Sequence, residues 1–160
     1  MAVRTILKFG EETLRKRSRE VEKIDERIIT LVEDMKETMA LANGVGLAAP
    51  QVGVLRRVVI VELEEIGVVE LINPVIKKTS GHQEDIEGCL SDPGEYGITK
   101  RPMNVTVEAL NIKGEKVKYS VSGLSARAVC HEVDHLDGKL FIDCVVRMLD
   151  PEELNSEGKK

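Results

Sequence analysis

Val129-Cys130-His131-Glu132-Val133-Asp134-His135-Leu136 is the stretch whose reading decides the fold. Two histidines lie four apart, a glutamate follows the first, and apolar residues fill most of the other positions. In a helix, side chains at i and i+4 share a face with their Cβ atoms about 5–6 Å apart. Two imidazole nitrogens can meet one metal ion across that gap, at bonds of about 2.0–2.1 Å. Glu132 then points about 100° away around the helix axis, beside such an ion, where it can trade protons with a water molecule. The competing reading is a buried helix whose histidines hydrogen-bond inside the core. The chain has 3 histidines and two of them fall here, which favours the metal.

Working outward, the helical pattern runs from Gly123 to Leu136 and ends at Gly138. Leu124 and Ala128 fall on the stripe of His131 and His135, while Val129, Val133 and Leu136 form an apolar stripe on another side, as in a helix enclosed by sheet. Val105 to Leu110 and Lys116 to Ser122 alternate around a turn at Lys113-Gly114 and read as a hairpin. Arg57 to Glu62 reads as a buried strand, and Val68 to Ile72 as another, stopped by Asn73-Pro74. Further upstream, Asp25 is a candidate N-cap for a helix carrying Ile28, Val32, Met35 and Met39, with Asn43-Gly44 as its stop. Glu11 to Arg17 carries a weaker helical pattern. Gly44 to Gly53 is dominated by small residues, so a backbone or ligand can approach closely; its glycines fit neither common phosphate-binding spacing. Strands around one central H-E-x-x-H helix predict an α+β fold with mainly antiparallel sheet. Residues 1–150 are expected to form a single catalytic domain. A short helical segment starting at Asp150-Pro151, or a frayed tail, is expected over 151–160.

Composition narrows the function classes. Over 160 residues, 42% are hydrophobic and 32% charged, the balance of a globular protein. The net charge is −5 with both signs interspersed. There is thus no broad basic footprint for nucleic acid and DNA is not an expected partner, although local basic patches are compatible with this composition. No apolar run reaches the ~20 residues of a membrane span. Met1 to Gly10 has neither a long apolar segment nor a small-residue cleavage site, so no secretory signal is expected. The 3 cysteines form no disulfide framework, which predicts a reducing cytoplasm.

A catalytic metal site needs a third protein ligand. Phe141 occupies the position where a third histidine would continue H-E-x-x-H-x-x-G-x-x-H, and Glu152 and Glu153 lie in a charged tail. Cys89, within Glu87-Gly88-Cys89-Leu90-Ser91, is a further candidate, because a thiolate is a strong ligand for zinc or ferrous iron. Cys130 is its rival, but adjacent helical residues do not converge on one point. Cys144 and His82 sit in no motif.

G-V-G-L-A-A-P-Q (44–51), E-G-C-L-S (87–91) and H-E-V-D-H (131–135), in this order, closely resemble the three signature motifs of the peptide deformylase family. A-V-R-T-I-L-K-F-G near the start and I-D-E-R-I through M-K-E-T-M are similar too, so the resemblance spans nearly the whole chain. It implies a cytoplasmic hydrolase that removes the formyl group from N-formyl-methionyl nascent peptides. By the same resemblance, Cys89, His131 and His135 are metal ligands, Glu132 is the catalytic acid/base, and Gln51 with the Leu90 N–H are oxyanion donors. The ion it implies is one Fe2+, for which Zn2+, Ni2+ or Co2+ can substitute. Val45, Gly46, Gly88, Leu124 and Ala128 are candidate substrate-binding residues: the small ones would let an extended peptide add as a strand, and the others would line a methionine pocket. The sequence leaves open whether the C-terminal segment touches the ribosome. It departs from the family pattern at Cys130, where glutamine is usual, at Ile86, at Asp92, and at Glu11-Glu12-Thr13. Asp134 matches the family and is read either as a partner of the ligand shell or as a solvent-facing carboxylate. An H-E-x-x-H endopeptidase and an inactive metal-binding or nascent-chain-binding module are the alternatives. The first would need a ligand other than Cys89, and the second would need neither Glu132 nor Gln51.

Overall fold

The computed structural model describes residues 2–153. In chain order its elements are helix α1 (Glu26–Leu41), strands β1 (Gly46–Ala48), β2 (Val58–Leu63), β3 (Gly67–Ser80), β4 (Gln83–Cys89), β5 (Asp92–Arg101), β6 (Asn104–Leu110) and β7 (Lys116–Ser122), helix α2 (Gly123–Leu136) and strand β8 (Val145–Met148). One sheet has the order β1-β2-β3-β6-β7 and a second the order β4-β5-β8. Neighbouring strands in both are antiparallel.

The architecture turns on β2. Val58 and Ile60 pack with Ile28, Leu31, Val32, Met35 and Met39 of α1. Val59, Val61 and Leu63 pack with Ala126, Val129, Val133 and Leu136 of α2. Successive strand residues point to opposite faces, so an unbroken apolar run is what a strand between two helices requires. The larger sheet is thereby layered between α1 and α2. The expected α+β class with mainly antiparallel sheet is borne out, and α2 carries the H-E-V-D-H run.

Local chemistry sets the ends of these elements. The Asp25 side chain accepts a hydrogen bond from the Ile28 N–H at 3.1 Å, satisfying one of the donors left open at a helix start. Beyond α1, Asn43 adopts φ 56° and the Gly44 N–H bonds the Met39 carbonyl at 3.0 Å, closing the helix as the Asn-Gly pair predicts.

The structure differs from the sequence reading in four places. Glu11 to Arg17 yields only a single 3-10 turn, Glu12–Arg15. The stretch from Gly44 to Gly53 contains β1 and a 3-10 turn, Ala49–Val52. Asn73-Pro74 does not end β3: pairing with β6 steps from Ile72 to Val75 across a bulge. Asn73, at φ 53°, bonds the Val21 N–H at 2.8 Å and the Val21 carbonyl at 2.9 Å through its side chain, so the bulge absorbs the proline that a regular ladder would reject. The three-stranded sheet has no counterpart in the sequence reading, because β4 and β5 are half exposed and rich in Gly, Asp and Glu. Residues 151–153 are helical, while the remainder of the expected tail lies outside the described residues.

Candidate active site

Helix α2 presents His131 and His135 on one face, with ring centroids 5.0 Å apart. The third group arrives from the other sheet. The register of β4 against β5 shifts between Gly88 and Cys89, an irregularity of the kind that re-aims a side chain, and Cys89 Sγ lies 3.3 Å from His135 Nε2. The ligand atoms of Cys89, His131 and His135 all fall within 4.8 Å of one another. Cys130 is packed in the core on the opposite side, where burial pushes its thiol up to about 11. Phe141 stacks on His131 at 6.2 Å. Glu153 instead pairs with Arg147 at 2.6 Å, and His82 is exposed between β3 and β4.

His131 is oriented from behind. Its Nδ1 lies 2.7 Å from Glu87 Oε2, and an ionised carboxylate there accepts the Nδ1–H, leaving Nε2 as the free donor atom. Glu87 itself is held by Arg101 Nε at 3.1 Å and Arg101 Nη2 at 2.7 Å, by Arg127 Nη1 at 2.9 Å and by the Thr99 hydroxyl at 2.8 Å. Burial works to raise the Glu87 carboxyl, but the bonds from His131 and Arg101 hold it well below the usual carboxylate range. Arg101 also donates to Asp134 Oδ2 at 2.7 Å, so Asp134 joins this network rather than facing solvent alone.

These surroundings fit a cation. Burial alone would disfavour charge on His131, yet Glu132, Cys89 and Glu87 around it reverse the sign and hold it well above the histidine range. A positive charge is therefore favoured at Nε2, and a metal ion supplies one as well as a proton does. Burial pushes His135 down to about 3, keeping it neutral as a ligand must be. His135 Nδ1 and Glu132 Oε1 are buried without a hydrogen-bond partner among the described residues. A sulfur with two imidazoles is a donor set suited to ferrous iron or zinc.

Around this trio stand the remaining candidates. Glu132 Oε2 lies 3.9 Å from His131 Nε2, and burial pushes the Glu132 carboxyl up to about 7. The Gln51 Oε1 accepts from the Ala48 N–H at 2.9 Å, which turns Nε2 toward Ser91 Oγ at 3.1 Å and Cys89 Sγ at 3.5 Å. Leu90 sits in the turn that follows β4. A cavity of about 570 Å³ opens beside them, and Val45, Gly46, Gly88, Leu124 and Ala128 line it along with Gln51, Leu90 and Glu132. Leu124 is 55% exposed and Val45 43%, so both stand at the mouth, whereas Ala128 is buried. Ile86 also lines the cavity, while Asp92 opposes Cys89 across the β4–β5 turn.

Glu87, Arg101 and Arg127 had no assigned role from sequence. Signals pointed to two of them: Glu87 is two residues before Cys89 on a strand and so shares its face, and Arg127 is four before His131 on the helix; for Arg101 there was none.

Fold and site together define a metallohydrolase. The family model for polypeptide deformylase matches residues 3–150. A peptide deformylase from Acetivibrio thermocellus is 58% identical over 154 residues, covering 96% of this chain and 90% of that protein. One from Caldanaerobacter subterraneus subsp. tengcongensis is 52% identical over 160 residues, covering 100% and 99%. Among solved structures, the Thermotoga maritima peptide deformylase superposes with a TM-score of 0.86 at 40% identity, covering 89% of this chain and 97% of that one. A class I type b peptide deformylase from Acinetobacter baumannii, bound to Met-Ala-Ser, gives 0.86 at 36% identity, covering 89% and 98%. The chain belongs to the polypeptide deformylase family, the hydrolases that remove the N-terminal formyl group from nascent polypeptides.

Proposed function

We propose that Cys89 Sγ, His131 Nε2 and His135 Nε2 hold a single Fe2+ ion, or Zn2+, Ni2+ or Co2+ in its place, and that residues 1–150 act as one catalytic domain on N-formyl-methionyl peptides in the cytoplasm. The observation that carries this reading is the convergence of one sulfur and two imidazole groups within 4.8 Å, with a buried carboxylate beside them and a cavity at their side. When bound, the ion supplies Lewis acidity that makes water nucleophilic at neutral pH.

This chain's own residues do the rest. Glu132 takes a proton from the attacking water and delivers it to the departing amine nitrogen, acting as general base and then general acid. Gln51 Nε2–H and the Leu90 N–H donate to the oxygen of the formyl group as it gains charge; one such donor is typically worth about 10²–10³ in rate. Glu87 keeps the Nδ1 proton on His131. Gly46 and Gly88 leave room for an extended peptide backbone, and Val45, Leu124 and Ala128 surround the methionine side chain. The Met-Ala-Ser carried by the Acinetobacter baumannii relative is the deformylated form of such a peptide, which supports this use of the cavity. A transient ribosome contact through the C-terminal segment is part of the same proposal.

Formate release from formyl-Met-Ala-Ser by anaerobically purified protein tests the assignment. Glu132→Ala is expected to keep its metal and lose about 10²–10⁴ in kcat. Near-normal turnover by that variant would remove Glu132 from the mechanism.

A further inference from the structure

A second large cavity, of about 640 Å³, meets α1 at its opposite end. The active-site cavity touches Ala42–Gly44 beyond the C-terminal end of α1, whereas this one is walled by Glu26, Arg27, Ile28, Thr30 and Leu31 of its first turns and by residues 53–56. The ends of a helix of 16 residues stand about 24 Å apart, so the two sites are separate.

Four arginines line the cleft, Arg4, Arg19, Arg27 and Arg56, against one carboxylate, Glu26, in a chain whose net charge is −5. Arg4 is engaged by Asp34 at 2.9 Å. Among the described residues, Arg19, Arg27 and Arg56 make no side-chain hydrogen bond or ion pair. Their placement carries two local costs. Arg19 and Arg56 face each other across an isolated parallel bridge, and like charges at facing strand positions destabilise. Arg27 lies in the first turn of α1, where the positive end of the helix dipole disfavours a cation. An anion in the cleft reverses the sign of both.

We propose that this cleft binds the phosphate backbone of RNA without regard to sequence. Guanidinium groups pair bidentately with phosphate oxygens, and several arginines along one open cleft suit a polymer charged at every unit. Among the described residues no aromatic side chain lines the cleft, so bases find no stacking platform there and recognition falls on the backbone. The choice of RNA over DNA rests on the proposed function, since a protein acting on chains still being made works beside RNA.

Fluorescence anisotropy with a labelled RNA duplex of about 20 base pairs tests this, titrating full-length protein between about 50 mM and 200 mM KCl. Binding is expected to weaken steeply with salt. The variant carrying Arg19→Gln, Arg27→Gln and Arg56→Gln is expected to bind at least about tenfold more weakly, with a salt slope shallower by about 2–3. Its formate release is expected to match wild type, which also reports that it folds. Glu26→Gln, which removes the one opposing charge, is expected to tighten binding, so the test survives a misfolded triple variant. Absence of binding at the lowest salt would overturn the proposal, as would a triple variant that binds like wild type. Displacement of the RNA by inorganic phosphate or poly-glutamate at matched anion concentration would overturn it in favour of a small-anion or acidic-peptide site. A failure of the deformylase reading would appear separately, in the formate assay.

Discussion

A Cβ on Gly46 would stand 2.8 Å from both Cγ and Cδ of Glu132, well inside the optimal separation of two carbon atoms. The glycine read from sequence as a rail for peptide thus also makes room for the carboxylate. That second role depends on α2 folding against β1, and nothing within residues 44–51 reports it. Gly46→Ala is expected to leave metal content intact while lowering kcat about 10²-fold, the scale of an ångström-level misplacement; steady-state formate release with metal analysis checks both halves. Asp34 works at the same scale. It accepts from the Ala2 N–H at 2.7 Å and from Arg4 Nε at 2.9 Å. Burial pushes its carboxyl up, but these partners outweigh burial and hold it below the ordinary value of 3.8. A depressed folded pKa means the stabilisation is complete above 3.8 and is lost as pH falls through the lower folded value. Protection of the Ala2–Arg4 amides, as the exchange rate relative to the intrinsic rate at each pH, is therefore expected to fall at acid pH, and Asp34→Asn to show the low protection already at neutral pH. Equal exchange in the two proteins at neutral pH would rule out this anchoring role.

At the scale of elements, α2, β2 and the β6–β7 hairpin were legible because each buries a full face. Val58–Val61 is apolar throughout since both faces of the strand are covered there, and α2 shows its period because one stripe meets sheet while the other carries the histidines. Strand β4 was not legible. Its sequence Q-E-D-I-E-G-C places Glu87 and Cys89 inward, and a buried glutamate reads as a surface residue until its partners are known. Those partners, Arg101 at the far end of β5 and Arg127 on α2, lie 14 and 40 residues further along the chain. Glu87→Gln keeps the shape but, among the described residues, leaves buried Arg127 with no carboxylate partner and Arg101 with Asp134 alone. Breaking a buried ion pair costs about 3–5 kcal/mol, and losing the partner of a metal-bound histidine costs about 10–100-fold in metal affinity. Urea unfolding and a metal-competition titration are expected to show both losses. A variant with wild-type metal affinity would mean Glu87 serves stability alone. Asn73-Pro74 carries the opposite lesson: a strand-breaking dipeptide became a bulge because Asn73 found both polar groups of Val21.

For the whole molecule, the candidate site exists only where the two sheets meet. His131 and His135 belong to a helix laid on the five-stranded sheet, and Cys89 ends an edge strand of the three-stranded one. The histidine pair was readable from local spacing. Cys89 was a candidate from its thiolate chemistry and was singled out by the family resemblance, since the chain between residues 89 and 131 gives no physical reason for that pairing until β4 and β5 fold back. The sharpest check on this convergence is X-ray absorption at the zinc edge of zinc-loaded protein. The expected spectrum shows one sulfur at about 2.3 Å and two imidazole nitrogens at about 2.0–2.1 Å. A shell with no sulfur, unchanged by Cys89→Ala, would contradict it.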